Sequence, residues 1–376
     1  MTVVAIFFWA SIALLVYTQI GYALVLALLA RLLRAQRTAP SWDGQLPDVS
    51  AIVAAYNEQE VIAQRITNLR SLDYPPDRVQ VIVASDGSSD HTVSRARAAG
   101  ADLVLELPRG GKIRAQDAAV EQAGGELLVF SDANAVWDRD ALRCLVAAFA
   151  DPSIGYVCGD VSFLHAGGDN QEGLYWRYEM WLRRMESALH SVTSGNGAIY
   201  ATRREAYLQV DPLAGHDLSF PFNMVKRGWR AIYVTEAHAT EKMAPSIEGE
   251  FARKRRMARR TWPTVLRSGL ISPRGYGPLY ALMIFSHRIL RYLVPFLHLL
   301  ALVLNVALLG QGLIYVATLV AQLALYGLAG LASLVPARLL LVARYYVVTN
   351  WALAAGLWDW LRGERSPVWE TVEGTR

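Results

Sequence analysis

Cysteine is nearly absent from this chain: Cys144 and Cys158 are the only two among 376 residues. They stand 14 residues apart with no histidine or cysteine neighbour. That spacing fits neither a disulfide framework nor a zinc site and reads as two buried thiols. Charge is missing from one long stretch, since no Asp, Glu, Lys or Arg lies between Val3 and Ala30. The middle of the chain lacks a basic stripe interleaved with aromatics, and a net charge of +4 is modest for this length. Nucleic acid is therefore not an expected partner. What is abundant is apolar residue, 53% of the chain with a mean hydropathy of +0.22. The excess is confined to the two ends, and the middle has the composition of an ordinary soluble domain.

The uncharged N-terminal stretch is long enough, at ~1.5 Å per residue, to cross a hydrocarbon core of about 30 Å. A signal peptide would need a basic start and a short apolar core, whereas this run is longer and is closed by Arg31, Arg34 and Arg37. Residues 1–34 are therefore expected to be a membrane anchor. The positive-inside rule puts its N-terminus outside and the rest in the cytoplasm, as an integral protein of the inner or plasma membrane. Residues 35–48 read as a linker. At the other end, 276–291 are expected as an interfacial helix with Ser286, His287, Arg288 and Arg291 toward headgroups. Spans are expected at 292–309, 313–335 and 339–361, followed by a tail, 362–376. Three crossings would leave Arg362 and Arg365 outside, so one of these segments should be re-entrant or interfacial. Membrane lipids account for the basic residues that flank the spans.

Residues 49–275 alternate strand and helix patterns: strands 49–55, 79–84, 101–106 and 127–131, helices 61–72, 92–99 and 113–123. This predicts an α/β domain with a mostly parallel sheet flanked by helices, and ligands at the carboxyl edge of the strands. Beyond Asp132 come a strand at 157–163, a Tyr/Trp-rich helix at 172–189, a segment at 195–202, a helix at 218–227, a strand at 231–235 and a basic amphipathic helix at 250–267.

Three acidic or glycine-rich elements fall at strand ends. Asp86-Gly87-Ser88-Ser89-Asp90 is a tight turn that caps a helix, and in its setting Asp86 is also placed to accept hydrogen bonds from a base or ribose. Ala54-Ala55-Tyr56-Asn57-Glu58 ends the first strand beside it. Asp132-Ala133-Asn134 offers a carboxylate and an amide oxygen suited to a hard divalent cation bridging a diphosphate; an N-cap is the plainer reading, but Asp138 fills it better. Arg109-Gly110-Gly111-Lys112 opens a helix where a phosphate fits.

In order and spacing these motifs resemble the inverting glycosyltransferase family 2, over roughly 49–260, and its membrane-anchored branch of cellulose, hyaluronan and exopolysaccharide synthases. The resemblance implies the GT-A nucleotide-sugar-binding fold. It implies donor contacts at Ala54, Tyr56, Glu58, Asp86 and Lys112, and a metal, Mg²⁺ or Mn²⁺, on Asp132 with Asn134. Gly195-Asn196-Gly197-Ala198 resembles the acceptor-side loop, and His216-Asp217 precedes a helix ending in Arg227-Gly228-Trp229-Arg230, so the resemblance makes Asp217 the catalytic base. A helix cap is the competing role for Asp217.

The chain departs from the family pattern in three places. Asn134 stands for the second Asp of the metal motif, Asn196 for an Asp, and His216 for an acid; a protonated His216 would weaken Asp217 as a base. The basic helix has Arg253 to Trp262 instead of Gln-x-x-Arg-Trp. Headgroup binding accounts for several of its cations, with Arg256 and Arg260 expected on the donor diphosphate and Trp262 on an acceptor sugar. The expected activity is transfer from a UDP-type sugar to a lipid-linked or polysaccharide hydroxyl, in exopolysaccharide or glycolipid synthesis. With so few spans, export would need a homo-oligomer or separate partners. The alternative is a non-catalytic relative that scaffolds or binds nucleotide.

Overall fold

The computed structural model describes residues 1–33, 42, 44–164, 171–212, 214–242, 247–335 and 337–363. The chain opens with one helix, α1 (Thr2–Leu32), continuous through a π-turn at Tyr17–Gly21. The domain then runs β1 (Val49–Ala55), α2 (Ile62–Arg70), β2 (Val79–Asp86), α3 (Thr92–Ala98), β3 (Leu103–Leu107), α4 (Lys112–Glu121) and β4 (Leu127–Asp132). It continues with β5 (Val136–Trp137), α5 (Ala141–Ala148), β6 (Ile154–Leu164), α6 (Gln171–Leu189), β7 (Tyr200–Arg203), α7 (His216–Lys226), β8 (Arg230–Lys242) and α8 (Ile247–Arg267). Three apolar helices close the chain: α9 (Pro278–Gln311), α10 (Leu313–Leu331) and α11 (Arg338–Leu361).

One eight-stranded sheet carries the domain, in the order β3-β2-β1-β4-β7-β6-β8-β5. β3, β2, β1 and β4 are parallel, and β7 is antiparallel to both β4 and β6. β1 is buried along its whole length, so both faces of the sheet are covered, as a parallel sheet requires. Its side chains alternate between two cores: Val49, Ala51, Val53 and Ala55 join one, Ile52 and Ala54 the other. The expected mostly parallel α/β sheet is what forms, and β2 and β4 extend far enough to end on Asp86 and Asp132 themselves. Strand order reverses between β1 and β4, the topological switch point where open α/β sheets bind ligands. There the register sets Ala54 opposite both Ala84 and Asp132.

Among the described residues four helices, α1, α9, α10 and α11, are long and apolar enough to cross a membrane. α1 runs from Phe8, packed against Ala301 and Leu308, to Tyr22, whose hydroxyl donates to Glu186 of the domain at 2.6 Å. α9 runs the opposite way, and α10 returns alongside it, with Gln322 donating to the His298 carbonyl at 2.9 Å.

Two membrane-proximal expectations are corrected. Residues 276–291 do not form a separate interfacial helix, because α9 is continuous from Pro278 and only a π-turn at Ile284–Ile289 marks the join. Nor do Ser286, His287 and Arg288 face headgroups. They are buried, because Glu179 and Glu186 of α6 supply carboxylates that a lipid surface would not. His287 bridges both glutamates, and Arg288 and Arg291 reach Glu179 at 3.2 and 2.8 Å. The polar face of α9 thus docks into the domain.

α11 settles against the domain as well. Arg255 of α8 makes two 2.6 Å bonds to Asp359, and the Arg267 guanidinium lies over Trp360. The C-terminal end of α11 therefore lies on the domain's side.

Candidate active site

The donor edge is built by two turns laced together. Asn57 adopts φ +52°, a left-handed conformation that asparagine tolerates. From there its side-chain oxygen accepts from the Ser89 N–H at 2.9 Å, while its own N–H donates to the Ser88 hydroxyl at 3.1 Å. Asp90 caps α3 by accepting from the Thr92 N–H at 2.9 Å. The plain turn-and-cap reading of this loop is therefore real. Glu58 is buried, and Tyr56 is half-buried beneath the Arg109 guanidinium.

Asp86 is 1% exposed, and its carboxylate accepts from Arg109 at 2.7 Å, the Gly110 N–H at 2.6 Å and the Gly111 N–H at 2.9 Å. It organises the Arg109-Gly110-Gly111-Lys112 loop from behind. Any service to the nucleoside passes through that loop and through the Tyr56–Arg109 pair. Arg109 is a residue that sequence reading noted only as part of a phosphate loop.

Lys112, the first residue of α4, forms an ion pair with Asp132. Burial alone would lower its pKa, but the Asp132 carboxylate outweighs this and holds it above the usual lysine value. Asn134 is half-buried two residues beyond. β5 follows at once and pairs with β8, Val136 opposite Thr240, which brings Glu241 beside the Asp132 loop. Burial, then Asp132, pushes the Glu241 carboxyl up to about 8. Among the described residues no three His, Cys, Asp or Glu side chains converge as a complete metal cage. Yet the Asp132 and Glu241 carboxylates, with the Asn134 amide oxygen alongside, are a donor set that a hard divalent cation fits. Glu241 was not singled out from sequence, because only the β5–β8 pairing brings it there.

The acceptor side is a loop and a helix start. Tyr156 packs where a side chain on Gly195 would have to go, and the position of a Cβ on Gly197 lies 3.2 Å from Lys112 Nζ and 3.3 Å from Asp132. The Gly195 N–H donates to the Asp217 carbonyl at 2.6 Å. Asp217 sits in the first turn of α7, where the helix dipole favours a carboxylate. It lines a cavity of about 250 Å³ together with Gly195, Trp176, Arg183 and Arg288.

Five residues expected on the acceptor or donor side lie elsewhere. Asn196 is 8% exposed and turned inward: its amide donates to the Gly159 carbonyl at 2.7 Å and accepts from the Ile199 N–H at 2.9 Å. An aspartate could not make the first of these bonds, which explains the departure. Trp262 is buried between α8, α9 and α11, donating to the Leu353 carbonyl at 2.9 Å. The cavity is lined by Arg253, Lys254, Met257 and Thr261 of α8. At 100° per residue, Arg260 and Arg256 point roughly 75° and 115° away from the centre of that face.

His216 is buried rather than acceptor-facing. Its Nδ1 pairs with the Tyr200 hydroxyl at 2.7 Å, and its ring stacks on Phe220 at 4.0 Å. Burial, then the Lys112 charge, lowers its pKa to about 3. It is neutral near pH 7, so it cannot weaken Asp217 as an imidazolium.

The aromatic helix α6 reaches both the cavity and the apolar helix α1. Trp176 lines the cavity, and Tyr178 donates to the Gln19 carbonyl of α1 at 2.9 Å.

The profile of glycosyltransferase like family 2 matches residues 47–260. Among curated proteins, the chain is 25% identical over 180 residues to glycosyltransferase AglE of Haloferax volcanii, covering 46% of this chain and 58% of that one. It is 23% identical over 252 residues to the poly-beta-1,6-N-acetyl-D-glucosamine synthase of Staphylococcus aureus, covering 64% and 61%. Over a shorter stretch of 123 residues it is 35% identical to beta-monoglucosyldiacylglycerol synthase of Synechocystis, covering 29% and 24%. The chain thus spans about three fifths of the length of the first two relatives. Its fold matches that of mannosyltransferase PcManGT from Pyrobaculum calidifontis, solved with GDP-Man and Mn²⁺, at TM-score 0.73 and 24% identity over 96% of this chain and 100% of that one.

Proposed function

The chain belongs to glycosyltransferase like family 2, and on that premise we propose that it moves a sugar, with inversion, from a UDP-type donor to a hydroxyl of a lipid-linked or polysaccharide acceptor. One observation carries this reading. The loop 195–197 is hydrogen-bonded at one end to Asp217 and lies at the other against the Lys112–Asp132 pair. A base for the acceptor and the charges for a departing diphosphate therefore stand two residues apart along one loop.

In the reaction, Asp217 takes the proton of the acceptor hydroxyl as that oxygen bonds to the anomeric carbon. The bond from that carbon to the diphosphate breaks, and its electron pair leaves with the nucleoside diphosphate. General-base assistance of this kind contributes about 10²–10⁴-fold. Lys112 and the Gly110 and Gly111 loop bind the diphosphate, and Tyr56 with Arg109 forms the wall for the base. Asp132, Asn134 and Glu241 would hold Mg²⁺ or Mn²⁺, which when bound neutralises charge on the leaving diphosphate. PcManGT holds Mn²⁺ in the same fold, which supports the cofactor.

The relatives make polysaccharide or glycolipid, and that supports exopolysaccharide or glycolipid synthesis at a membrane. We place the domain on the cytoplasmic face of the inner membrane by Arg31; Arg34, Arg37 and Arg365 lie outside the described residues. α1, α9 and α10 then make three crossings, and α11, whose end is tied to α8, re-enters from the domain side. This removes the parity conflict at Arg362. The non-catalytic alternative loses two of its motives, since His216 is neutral and Asn196 is explained by its hydrogen bonds.

The test is release of nucleoside diphosphate from a panel of UDP- and GDP-sugars, with metal and lipid extract, by the purified protein and by Asp217→Asn. We expect a loss of at least ~100-fold in turnover with nucleotide binding retained. Equal turnover by the variant, or turnover unaffected by chelator, would overturn the base or the metal respectively.

A further inference from the structure

The cavity at Asp217 does not end in the soluble domain. Arg291, Tyr345, Thr349 and Leu353 line it and also line a second cavity of about 390 Å³. Gln19 of α1, Val294 of α9, and Val342, Tyr346 and Asn350 of α11 form the walls of this second space. The cavity that holds the Asp217 carboxylate therefore shares a wall with a slot between three apolar helices.

The junction is strongly cationic. Among the described residues, Arg183, Arg253, Lys254, Arg288 and Arg291 line the inner cavity against only two carboxylates, Glu179 and Asp217. Glu179 is saturated by this company: burial would raise its pKa, but His287 and Arg288 outweigh burial and hold it far below the usual range. Arg183 is 5% exposed, and its Nε and Nη1 have no hydrogen-bond partner. Its polar neighbours are Glu179 at 4.0 Å and Ser194 at 3.5 Å, and the guanidinium lies over the Trp176 ring at 5.6 Å. A buried guanidinium with idle N–H groups is costly, because those donors have given up water without gaining an acceptor. Phosphate is the ligand whose oxygens match such a fork. The donor's diphosphate belongs to Lys112 and Asp132, on the far side of Gly197.

We propose, resting on the transferase reading above, that the acceptor is a phosphate-bearing lipid: its headgroup phosphate binds Arg183, Arg288 and Arg291, its hydroxyl reaches Asp217, and its hydrocarbon tail lies in the slot between α1, α9 and α11. Two independent features meet in this assignment. The slot selects a tail, and the unpartnered N–H groups of buried Arg183 select a phosphate. A neutral lipid would leave Arg183 unmet, and a free anion would leave the slot empty.

Binding is measured by native mass spectrometry on the full-length protein in detergent, without donor, using hexadecyl phosphate, hexadecanol and inorganic phosphate. We expect hexadecyl phosphate to bind at least tenfold more tightly than either of the others. Arg183→Gln should remove that preference, and Val342→Trp, which fills the slot, should weaken hexadecyl phosphate at least tenfold. Both variants should keep nucleotide binding, which shows that they fold. Equal binding of hexadecanol would mean that the slot is merely apolar, and equal binding of inorganic phosphate would mean a free-anion site. Nucleotide-sugar binding lost in Arg183→Gln would mean that the guanidinium serves the donor. Each of these outcomes overturns the proposal. Donor turnover and its dependence on Asp217 involve no lipid probe, so a protein that turns over donor yet ignores hexadecyl phosphate sinks this inference alone.

Discussion

On the donor side of the cleft, each polar group is held by a neighbour on the same sheet edge. Asp86 binds the loop that begins at Arg109, and Lys112 binds Asp132 at the end of the adjacent strand pair. On the acceptor side the partners come from the whole chain: Glu186 of α6 accepts from Tyr22 of α1 and contacts His287 of α9, and Arg255 of α8 holds Asp359 of α11. The first side is a local strand-end construction that a soluble domain can make by itself. The second exists only when the membrane helices dock. Donor recognition and acceptor recognition should therefore be separable by substitution.

The largest effect should come from Asp86→Ala. Removing this buried carboxylate takes the charge partner from the Arg109 guanidinium and leaves the Gly110 and Gly111 N–H groups without their acceptor, a loss of about 3–5 kcal/mol by analogy with broken buried pairs. Nucleotide affinity measured by calorimetry should fall by ~100-fold or more, since 1.4 kcal/mol is a factor of ten. The docking of α1 and α9 should persist, read as unchanged helical content and protection of Tyr22 and Glu186 from exchange. If the membrane joint melts along with the donor loop, the two sides are one cooperative unit and the comparison fails.

Acid should separate them next. His216 has its folded pKa lowered to about 3, below its unfolded value, so the unfolded chain takes up the extra proton first as pH falls. The stabilisation from keeping it neutral is complete above pH ~6.5 and is lost progressively toward the folded value, amounting to about 2 kcal/mol between pH 7 and 5. On the donor side, burial would raise the Asp90 pKa, but its Thr92 hydrogen bonds outweigh that and hold it below the usual value. Its contribution fails only below about pH 4. Thermal unfolding at pH 7 and pH 5 should therefore show a fall in Tm that His216→Gln largely abolishes. An equal fall in the variant would place the acid-sensitive group elsewhere.

The same division explains what could be read from the sequence. β1, α2, β2, α3, β3, α4 and β4 follow hydrophobic period, and their site residues lie at strand ends, so Asp86, Lys112 and Asp132 were visible as motifs at turns. Glu241 was not, because its place depends on pairing between β5 and β8, about a hundred residues apart. His216 and Asn196 look like altered catalytic groups in sequence, yet their side chains point into the core, and direction is not encoded in spacing alone. Ser286, His287 and Arg288 look interfacial because nothing local shows that Glu179 and Glu186 will meet them.

The basic helix α8 gives the smallest effect and the sharpest check on direction. Its sequence offers cations at almost every phase, and the structure distinguishes them by what each face meets. Arg253, Lys254, Met257 and Thr261 look into the cavity, while Ala258, Trp262 and Val265 are buried against the membrane helices. Arg256 and Arg260 lie off the cavity face and are half-buried. Loss of a peripheral charge costs little where water and headgroups screen it, typically ~0–1 kcal/mol. Arg256→Gln and Arg260→Gln should accordingly change the KM for donor and for acceptor by less than about fivefold. Arg253→Gln, one turn away but facing the cavity, should raise the acceptor KM more than the donor KM. A large donor defect in Arg256→Gln or Arg260→Gln would mean that α8 rotates or shifts when donor binds, and the boundary between the two sides would then have to be drawn through α8 itself.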